Sequence, residues 1–348
     1  MLHFGIIPGD TAGKIRTRCA LKVLQRVAEL HGLSYQLDTF DLGADNYIET
    51  GELISSDQLA SLGSMDGIFL GGFGDPRLER SVCENGIKAK LWAELNLFVT
   101  MRHVVVYNEE FCPLKNQKSR TIDFIVVREN TETSYSNLGS FIHKYTPDEL
   151  ALTQGVLIRK TVEKVMRTAF SVAHHRPRRK LTLIDRSQSI PAHDLGRRVF
   201  ADISRENPDV RVNSFNAEEV AGAFISHPEQ FDVIVTTADI GDMLMGLGLE
   251  LQGGPGFSFT AYHNPGQIAM FEPCQAWRED WEAQRSPNPV GAVGAMAQLL
   301  ASVGQWPAAL HMTQALTRAV NDSRGLFNAE PLNVEALLQN ILDCLGEA

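Results

Sequence analysis

Short β-branched segments alternate with amphipathic segments along this chain, and this alternation restricts its fold more than any other feature. The segments at 181–184 and 231–236 are largely apolar runs, typical of strands buried on both faces. Between residues 15 and 30 the apolar positions recur on one helical face, at Ile15, Cys19, Val23, Val27 and Leu30. Strands that alternate with helices in this way predict βαβ units and a largely parallel sheet.

The length and charge of the chain restrict its class. With 348 residues, 44% of them hydrophobic, the chain has enough apolar surface for a large core and is long enough for two domains. Its formal net charge is −10. Non-specific nucleic-acid binding needs clustered Lys and Arg, so the acidic balance argues against a nucleic-acid partner. The one dense basic run, residues 176–180, is interpreted as a solvated loop before a strand.

Three features predict a soluble, cytoplasmic protein with no membrane partner. The N-terminal segment MLHFGIIPGD lacks the basic start and long apolar stretch of a signal peptide. The longest apolar tract, residues 290–310, is interrupted by Gln298 and Gln305, which favours a buried helix over a membrane span. The five cysteines are scattered without a CxxC pair, which indicates reduced thiols rather than a disulfide framework or a zinc site.

Six motifs follow one another along the chain in a characteristic order. They are PGD at 8–10, LGGFGDP at 70–76, LFVTMR at 97–102, DFIVVRENTETSYS at 123–136, HPEQFDVIVT with IGD within 227–242, and FEP at 271–273 with NP at 288–289. In this order and at nearly this spacing they resemble the motifs of the isocitrate/isopropylmalate dehydrogenase family, the β-decarboxylating dehydrogenases. The pattern is closest to that of 3-isopropylmalate dehydrogenase, and the resemblance covers nearly the whole chain.

The resemblance implies an α/β fold of the isopropylmalate dehydrogenase type, with two open α/β domains and an interdomain active-site cleft. Residues 1–97 and 252–348 are expected to form a first, cofactor-side domain. Residues 98–251 are expected to form a second domain that makes a homodimer and carries substrate and metal groups. The family does not use the strand–GxGxxG–helix fingerprint, and the sequence contains none.

The resemblance also implies a reaction and the residues that carry it. The family oxidises a 2-hydroxy acid with a carboxylate on the neighbouring carbon, and the oxo acid then loses carbon dioxide. Arg102 and Arg128 stand at two of the family's three substrate-binding arginines, and Trp92 occupies the third position, or Leu91 if the register shifts by one. Planar guanidinium groups suit this role because they bind carboxylates with two parallel hydrogen bonds. Tyr135 matches the family's proton-donating tyrosine.

Arg186 occupies the position of the lysine that, in the family, assists removal of the alcohol proton. Arginine stays protonated at neutral pH, so it cannot act as a base. Arg186 is therefore expected to orient a carboxylate or a water molecule. This change alone would make the family reaction very slow, since base catalysis typically contributes ~10²–10⁴-fold.

The metal position is changed as well. The family binds Mg²⁺ or Mn²⁺ with two aspartates four residues apart on one helix, which lie on the same face, and with a third carboxylate from the partner subunit. Here Asp242 is retained, Gly246 stands at the second position, and Glu218 is expected to be the partner carboxylate. The alternatives are a weakened site and an abolished one, since Mg²⁺ commonly uses one or two carboxylates plus water.

The cofactor implied by the resemblance is NAD or NADP. The residues expected to bind it are Gly71 in the glycine-rich turn and Gln275, Asp280 and Asn288 around the family's cofactor loop. In that loop the family's small residues are replaced by large ones, including two tryptophans. These rings either stack on an adenine or fill its pocket.

Three functions are compatible with this pattern. The first is an NAD(P)-dependent dehydrogenase for a 3-substituted malate-like 2-hydroxy acid, favoured by the retained Arg102, Arg128, Tyr135 and Asp242. The second is a catalytically inactive family paralogue that serves as a binding or partner subunit, favoured by Arg186, by the glycine at position 246 and by the changed cofactor loop. The third is metal-independent chemistry in the same cleft.

Overall fold

The computed structural model describes residues 1–115, 122–132, 138–274, 287–327 and 331–346. The strands in these ranges are β1 (Leu2–Ile7), β2 (Tyr35–Thr39), β3 (Gly67–Leu70), β4 (Val99–Val105), β5 (Asp123–Glu129), β6 (Leu138–Ile142), β7 (Leu150–Gln154), β8 (Lys180–Asp185), β9 (Arg211–Asn216), β10 (Val233–Thr236), β11 (Phe259–His263) and β12 (Ala269–Pro273).

Helices follow most of these strands. In chain order they are α1 (Thr11–His31), α2 (Ala44–Thr50), α3 (Ser56–Gly63), α4 (Arg80–Cys83), α5 (Ala89–Glu94), α6 (Arg159–His175), α7 (Asp194–Glu206), α8 (Ala217–Ser226), α9 (Ala238–Leu251), α10 (Val290–Ser302), α11 (Trp306–Asp322), α12 (Arg324–Phe327) and α13 (Val334–Gly346). One π-helical turn, Glu84–Lys88, joins α4 to α5.

The chain forms two compact units. The first contains Met1–Leu97, Val106–Lys118 and Leu249–Ala348, and the second contains Phe98–Val105 and Ser119–Gly248. The return of Val106–Lys118 to the first unit is not part of the division expected from the sequence.

The strands of the first unit lie in the order β2-β1-β3-β12-β11. All neighbouring pairs are parallel except β11 and β12, which are antiparallel. The largest core cluster packs α1, α10, α11 and α13 on these strands. The apolar tract at 290–310 forms two helices, α10 and α11, because Gly304 takes a left-handed conformation with φ of 81° and interrupts it.

The PGD motif has a structural role in this unit. The Asp10 carboxylate accepts a hydrogen bond from the Ala44 backbone N–H at 2.7 Å and another from the Gly74 N–H at 2.9 Å. The side chain is buried, and its two oxygens therefore satisfy amides from two different loops. Asp10 fixes the turn after β1 against the turn after β3.

The strands of the second unit lie in the order β4-β5-β10-β8-β9. Strands β5, β10, β8 and β9 are parallel, and β4 is antiparallel to β5. Apolar residues of α6 and α7 pack on these strands and form a separate core. The predicted α/β class with largely parallel strands is confirmed. A separate two-stranded hairpin, β6–β7, lies in the same unit.

Two further expectations from the sequence concern membrane-spanning helices and the cysteine thiols. Within the described ranges, none of the helices has the length and apolar character needed to cross a membrane. All five cysteines are free and buried.

Candidate active site

Charged side chains collect at one edge of the second unit. The carboxyl ends of parallel strands meet at the same edge of a sheet, which is where open α/β sheets bind ligands. Four strands of this unit end there, and each is followed by polar groups: Arg128 at the end of β5, Arg186 after β8, Glu218 after β9 and Asp242 after β10. Segments that are far apart in sequence therefore supply one site.

Arg128 and Asp242 are in direct contact. The Arg128 Nε lies 2.9 Å from the Asp242 Oδ1. The Arg128 Nη1 donates to the backbone carbonyl of Glu129 at 2.7 Å and to the Asn130 Oδ1 at 3.0 Å. Arg128 is 4% exposed, whereas the Asp242 side chain is 44% exposed. A buried guanidinium needs such partners, and here they fix its position and orientation.

A glycine makes this contact possible. A Cβ atom at Gly241 would lie 2.8 Å from both the Cβ and the Cδ of Arg128, and one at Gly248 would lie 2.5 Å from the Val104 Cγ2. The two glycines are seven residues apart, so they lie on the same face of α9. Helix α9 therefore approaches β4 and β5 closely, which places Asp242 beside Arg128.

Arg102 lies on the same face of the β4–β5 ladder as Arg128. The strand register pairs Arg128 with Thr100 and Arg102 with Val126. Directly paired residues point to one face, and residues two positions along are diagonal neighbours within reach of long side chains. The structure thus brings Arg102, Arg128 and Asp242 to one part of the second unit. Tyr135, the fourth member of this predicted group, lies outside the described residues.

Arg186 and Glu218 form a looser pair at the same edge. The Arg186 Nε lies 3.5 Å from the Glu218 Oε1, and both side chains are partly exposed. The neighbouring Asp185 is buried and accepts from the Ser187 backbone N–H at 2.7 Å and from the Arg197 Nε at 2.8 Å. Asp185 therefore fixes the turn that presents Arg186.

His193 is a site residue that the sequence did not reveal. Its Nδ1 accepts a hydrogen bond from the Arg186 backbone N–H at 3.3 Å. Burial lowers the pKa of His193, so the imidazole is neutral at pH 7. His193, Asp185, Thr236 and Gly196 line a small cavity of about 30 Å³. No motif marked His193, because its role depends on a contact with a backbone group.

Trp92 lies in a packed group of the first unit. Its ring centroid is 5.1 Å from that of Tyr262, and the Lys88 Nζ lies 5.6 Å from the Trp92 ring centroid. The Tyr262 hydroxyl donates to the Glu272 Oε2 at 2.9 Å, and the Lys88 Nζ lies 3.3 Å from the same oxygen. Lys88 also pairs with Glu84. Aromatic rings and buried charges thus surround the position predicted to contact substrate.

Two of the predicted cofactor residues, Gly71 and Asn288, fall in the first unit. A Cβ atom at Gly71 would lie 2.2 Å from the Thr17 Oγ1 and 2.3 Å from the Pro8 carbonyl oxygen, so glycine is required there for backbone packing. The Asn288 Oδ1 accepts from the Val290 backbone N–H at 3.0 Å at the start of α10. Gln275 and Asp280 lie outside the described residues. The cofactor roles of these four residues stay predictions.

Comparison with known proteins decides the family. The family model described as isocitrate/isopropylmalate dehydrogenase matches residues 3–328. The chain belongs to this family. A 3-isopropylmalate dehydrogenase of Thermobifida fusca is 33% identical over 324 residues, which cover 92% of each protein. A 3-isopropylmalate dehydrogenase of Leifsonia xyli subsp. xyli is 34% identical over 319 residues, 90% of this chain and 88% of that protein.

Solved structures agree with this assignment. An isocitrate dehydrogenase from Methylococcus capsulatus matches with a TM-score of 0.85 and 25% identity and covers 99% of each chain. A β-decarboxylating dehydrogenase from Thermococcus kodakarensis matches with a TM-score of 0.79 and 21% identity over 100% of this chain and 97% of that one, which shows the fold alone. The predicted isopropylmalate dehydrogenase-like fold is confirmed.

The described carboxylates of this chain do not fit the family's metal site. Among the described residues, no group of three or more His, Cys, Asp and Glu side chains is arranged to hold a metal ion. Asp242 is paired with Arg128, and Glu218 is paired with Arg186. Gly246, at the second aspartate position, offers no ligand atom. A cation would have to compete with a guanidinium at each carboxylate, so we assign no reaction step to a metal.

Restoring the missing carboxylate tests this interpretation. Gly246 is exposed, and a Cβ atom there would meet nothing within 4 Å. In Gly246→Asp, a second carboxylate lies on the same helical face as Asp242. We expect the Mn²⁺ affinity, measured by electron paramagnetic resonance, to rise roughly tenfold or more, because ligand charge sets the affinity of such sites. Gly246→Asn is the control. Equal Mn²⁺ binding by both variants would show that the helix does not face a metal position.

Proposed function

We propose that this chain is an NAD(P)-dependent oxidoreductase of the β-decarboxylating dehydrogenase family that acts on a 3-substituted malate-like 2-hydroxy acid. The observation that carries the proposal is the placement of Arg102 and Arg128 as neighbours on one face of the β4–β5 ladder. Two guanidinium groups on one face suit an acid with two carboxylates. Family membership over residues 3–328 supports the reaction class.

The proposal assigns a role to each charged residue at this edge. Arg102 and Arg128 bind the substrate carboxylates, and Asp242 keeps the Arg128 guanidinium in one orientation. Arg186, which as an arginine cannot accept the alcohol proton, orients a carboxylate or a water molecule that takes this proton instead. Tyr135 returns a proton to the product. Gly71, Gln275, Asp280 and Asn288 would hold NAD or NADP, which would supply the hydride acceptor for the oxidation of the alcohol carbon.

A second candidate is a family member that binds ligands without turnover. The pairing of Arg186 with Glu218 favours it, because the catalytic lysine position then carries a fixed cation engaged by a carboxylate. The contact of Asp242 with Arg128 also favours it, because a guanidinium then engages the one carboxylate retained at the family's metal position. A metal-independent reaction in the same cleft is the third candidate.

Calorimetric titration separates these functions. NAD⁺, NADP⁺ and Mg²⁺ are titrated alone and in the presence of isopropylmalate or isocitrate. The proposed function predicts binding of one dinucleotide that is strengthened by an acid substrate. Dinucleotide binding without any dependence on metal would favour the metal-independent reaction. The absence of all binding by the folded protein would contradict the proposal and favour the role of a partner subunit.

We also propose that the protein is a cytoplasmic homodimer. The free thiols support the location. The β6–β7 hairpin supports the dimer, since four of its apolar side chains share one face and are each 43–48% exposed: Leu138, Ile142, Leu150 and Leu152. An isolated two-stranded hairpin is marginally stable in water and needs a partner surface.

Lysine substitutions on this face test the dimer. We expect Leu150→Lys with Leu152→Lys to shift the protein from dimer to monomer in light scattering coupled to size-exclusion chromatography, because two charges would have to be buried without partners. Thr153→Lys, on the opposite face of the same strand, is the matched control. A wild-type protein that is monomeric, or a double variant that remains dimeric, would contradict the proposed interface.

A further inference from the structure

Arg16 is a buried arginine near the start of α1 in the first unit. It is 7% exposed. Its Nε and Nη1 atoms are shielded from solvent and have no hydrogen-bond acceptor within the described part of the chain. Burial lowers the pKa of Arg16 to about 10, which leaves it protonated at neutral pH. A charged group with unsatisfied donors is unfavourable in the interior unless something else binds it.

The carboxylate that acts on the Arg16 charge is already engaged. Glu272, at the end of β12, acts on Arg16 only through its charge, without a hydrogen bond. Its carboxylate accepts from the Tyr262 hydroxyl and pairs with Lys88. Cys274, the other neighbour that acts on the Arg16 charge, is a free thiol. The first unit therefore holds a buried guanidinium whose Nε and Nη1 have no hydrogen-bond acceptor among the described residues.

We infer that Arg16 is an anion-binding residue of the first unit and that its guanidinium takes two oxygens of a ligand phosphate or carboxylate. A planar fork with several donors matches such a group with two parallel, charge-assisted hydrogen bonds. The inference rests on the proposed function for its ligands, because a dinucleotide brings phosphates and a malate-like acid brings carboxylates. Arg16 is not among the cofactor-binding or substrate-binding residues that were predicted from the sequence.

Two arginines of α1 provide a matched pair for the test. Arg16→Met removes the charge and keeps an unbranched, apolar side chain. Arg18→Met makes the same change two residues along the helix, where the arginine is exposed and pairs with Glu335. Inorganic pyrophosphate, ADP, adenosine and malate are titrated into the wild type and both variants by calorimetry. We expect Arg16→Met to lower the affinity for pyrophosphate and for ADP tenfold or more and to leave the affinity for adenosine unchanged. Arg18→Met should bind all four ligands like the wild type.

Stability provides an independent readout. Without ligand, Arg16→Met should raise the melting temperature, because replacing an uncompensated buried charge with an apolar side chain is often stabilising. Pyrophosphate should raise the melting temperature of the wild type but not of Arg16→Met. If Arg16→Met does not fold, Arg16→Lys replaces it. Lysine keeps the charge but loses the planar fork, so ADP binding should still be weakened.

The outcomes separate this inference from the proposed function. If Arg16→Met loses affinity for malate but not for pyrophosphate, the group that Arg16 binds is a carboxylate of the substrate and not a phosphate of the cofactor. Pyrophosphate, ADP and malate affinities that are all independent of Arg16 overturn the inference. NAD⁺ binding of equal strength in the wild type and in Arg16→Met, together with unchanged malate binding, overturns it as well and leaves the proposed function intact. Arg16-dependent pyrophosphate binding without any NAD⁺ or NADP⁺ binding supports the inference and contradicts the proposed cofactor.

Discussion

Arg186→Lys is expected to raise the turnover of a malate-like 2-hydroxy acid by one to several orders of magnitude. A lysine can lose its proton and accept one from the substrate alcohol, whereas arginine stays protonated. General base catalysis typically contributes ~10²–10⁴-fold, which sets the upper range of the gain. Turnover is measured as NADH or NADPH formation with isopropylmalate as substrate. The rate of the variant should increase with pH as the new lysine loses its proton.

Arg198→Lys is the control for this experiment. Arg198 lies on α7, and its side chain is 61% exposed. It pairs with Asp194 one turn earlier in the helix. Its replacement by lysine should leave turnover and melting temperature unchanged, since exposed pairs contribute about 0–1 kcal/mol. An Arg186→Lys variant that folds normally but shows no gain would argue against a family-like mechanism. It would favour the inactive paralogue.

Gly241→Ala is expected to lower the stability of the protein and its affinity for the acid substrate together. The added Cβ would lie 2.8 Å from the Cβ of Arg128, an atom that cannot swing away without moving β5. Overpacking of this kind typically costs about 1–3 kcal/mol. The displaced guanidinium would also lose its alignment with Asp242. Urea unfolding measures the first effect, and calorimetric titration of the substrate measures the second.

Gly246→Ala makes the same chemical change on the same helix. A Cβ atom there meets nothing within 4 Å. Because alanine is a better helix former than glycine, this variant should be more stable by up to about 1 kcal/mol and should bind substrate like the wild type. If both alanine variants behave alike, the close approach of α9 to β5 does not determine the position of Arg128.

The order of the motifs predicted the family and the fold before any contact was known. Buried parallel strands are nearly continuous apolar runs, and helices repeat their apolar residues every three or four positions. Both patterns can therefore be read directly from the chain. The family resemblance assigned Arg128 and Asp242 to one active site, and in the structure the two side chains are in contact.

The basic run at 176–180 shows where sequence patterns are insufficient. The run is a loop before a strand as predicted, since β8 begins at Lys180, but the Arg176 side chain is only 14% exposed and is not solvated. The Arg176 Nε donates to the Asp232 Oδ1 at 2.8 Å, and its Nη2 donates to the Asp123 Oδ1 at 2.8 Å. Arg178 donates to the backbone carbonyl of Glu229 at 2.6 Å. These partners lie about fifty residues away in sequence, so composition could not identify them.

The sequence by itself determined the class of fold, the family and the positions at which the family's chemistry is changed, because strand and helix periodicity and motif spacing are local properties of the chain. Only the tertiary structure decided which charges have partners. It engaged Arg186 with Glu218, placed His193 against the Arg186 backbone and buried Arg16 without a hydrogen-bond acceptor among the described residues. Burial and pairing depend on groups that meet only after the chain has folded, and burial gives an unpaired charge its energetic cost.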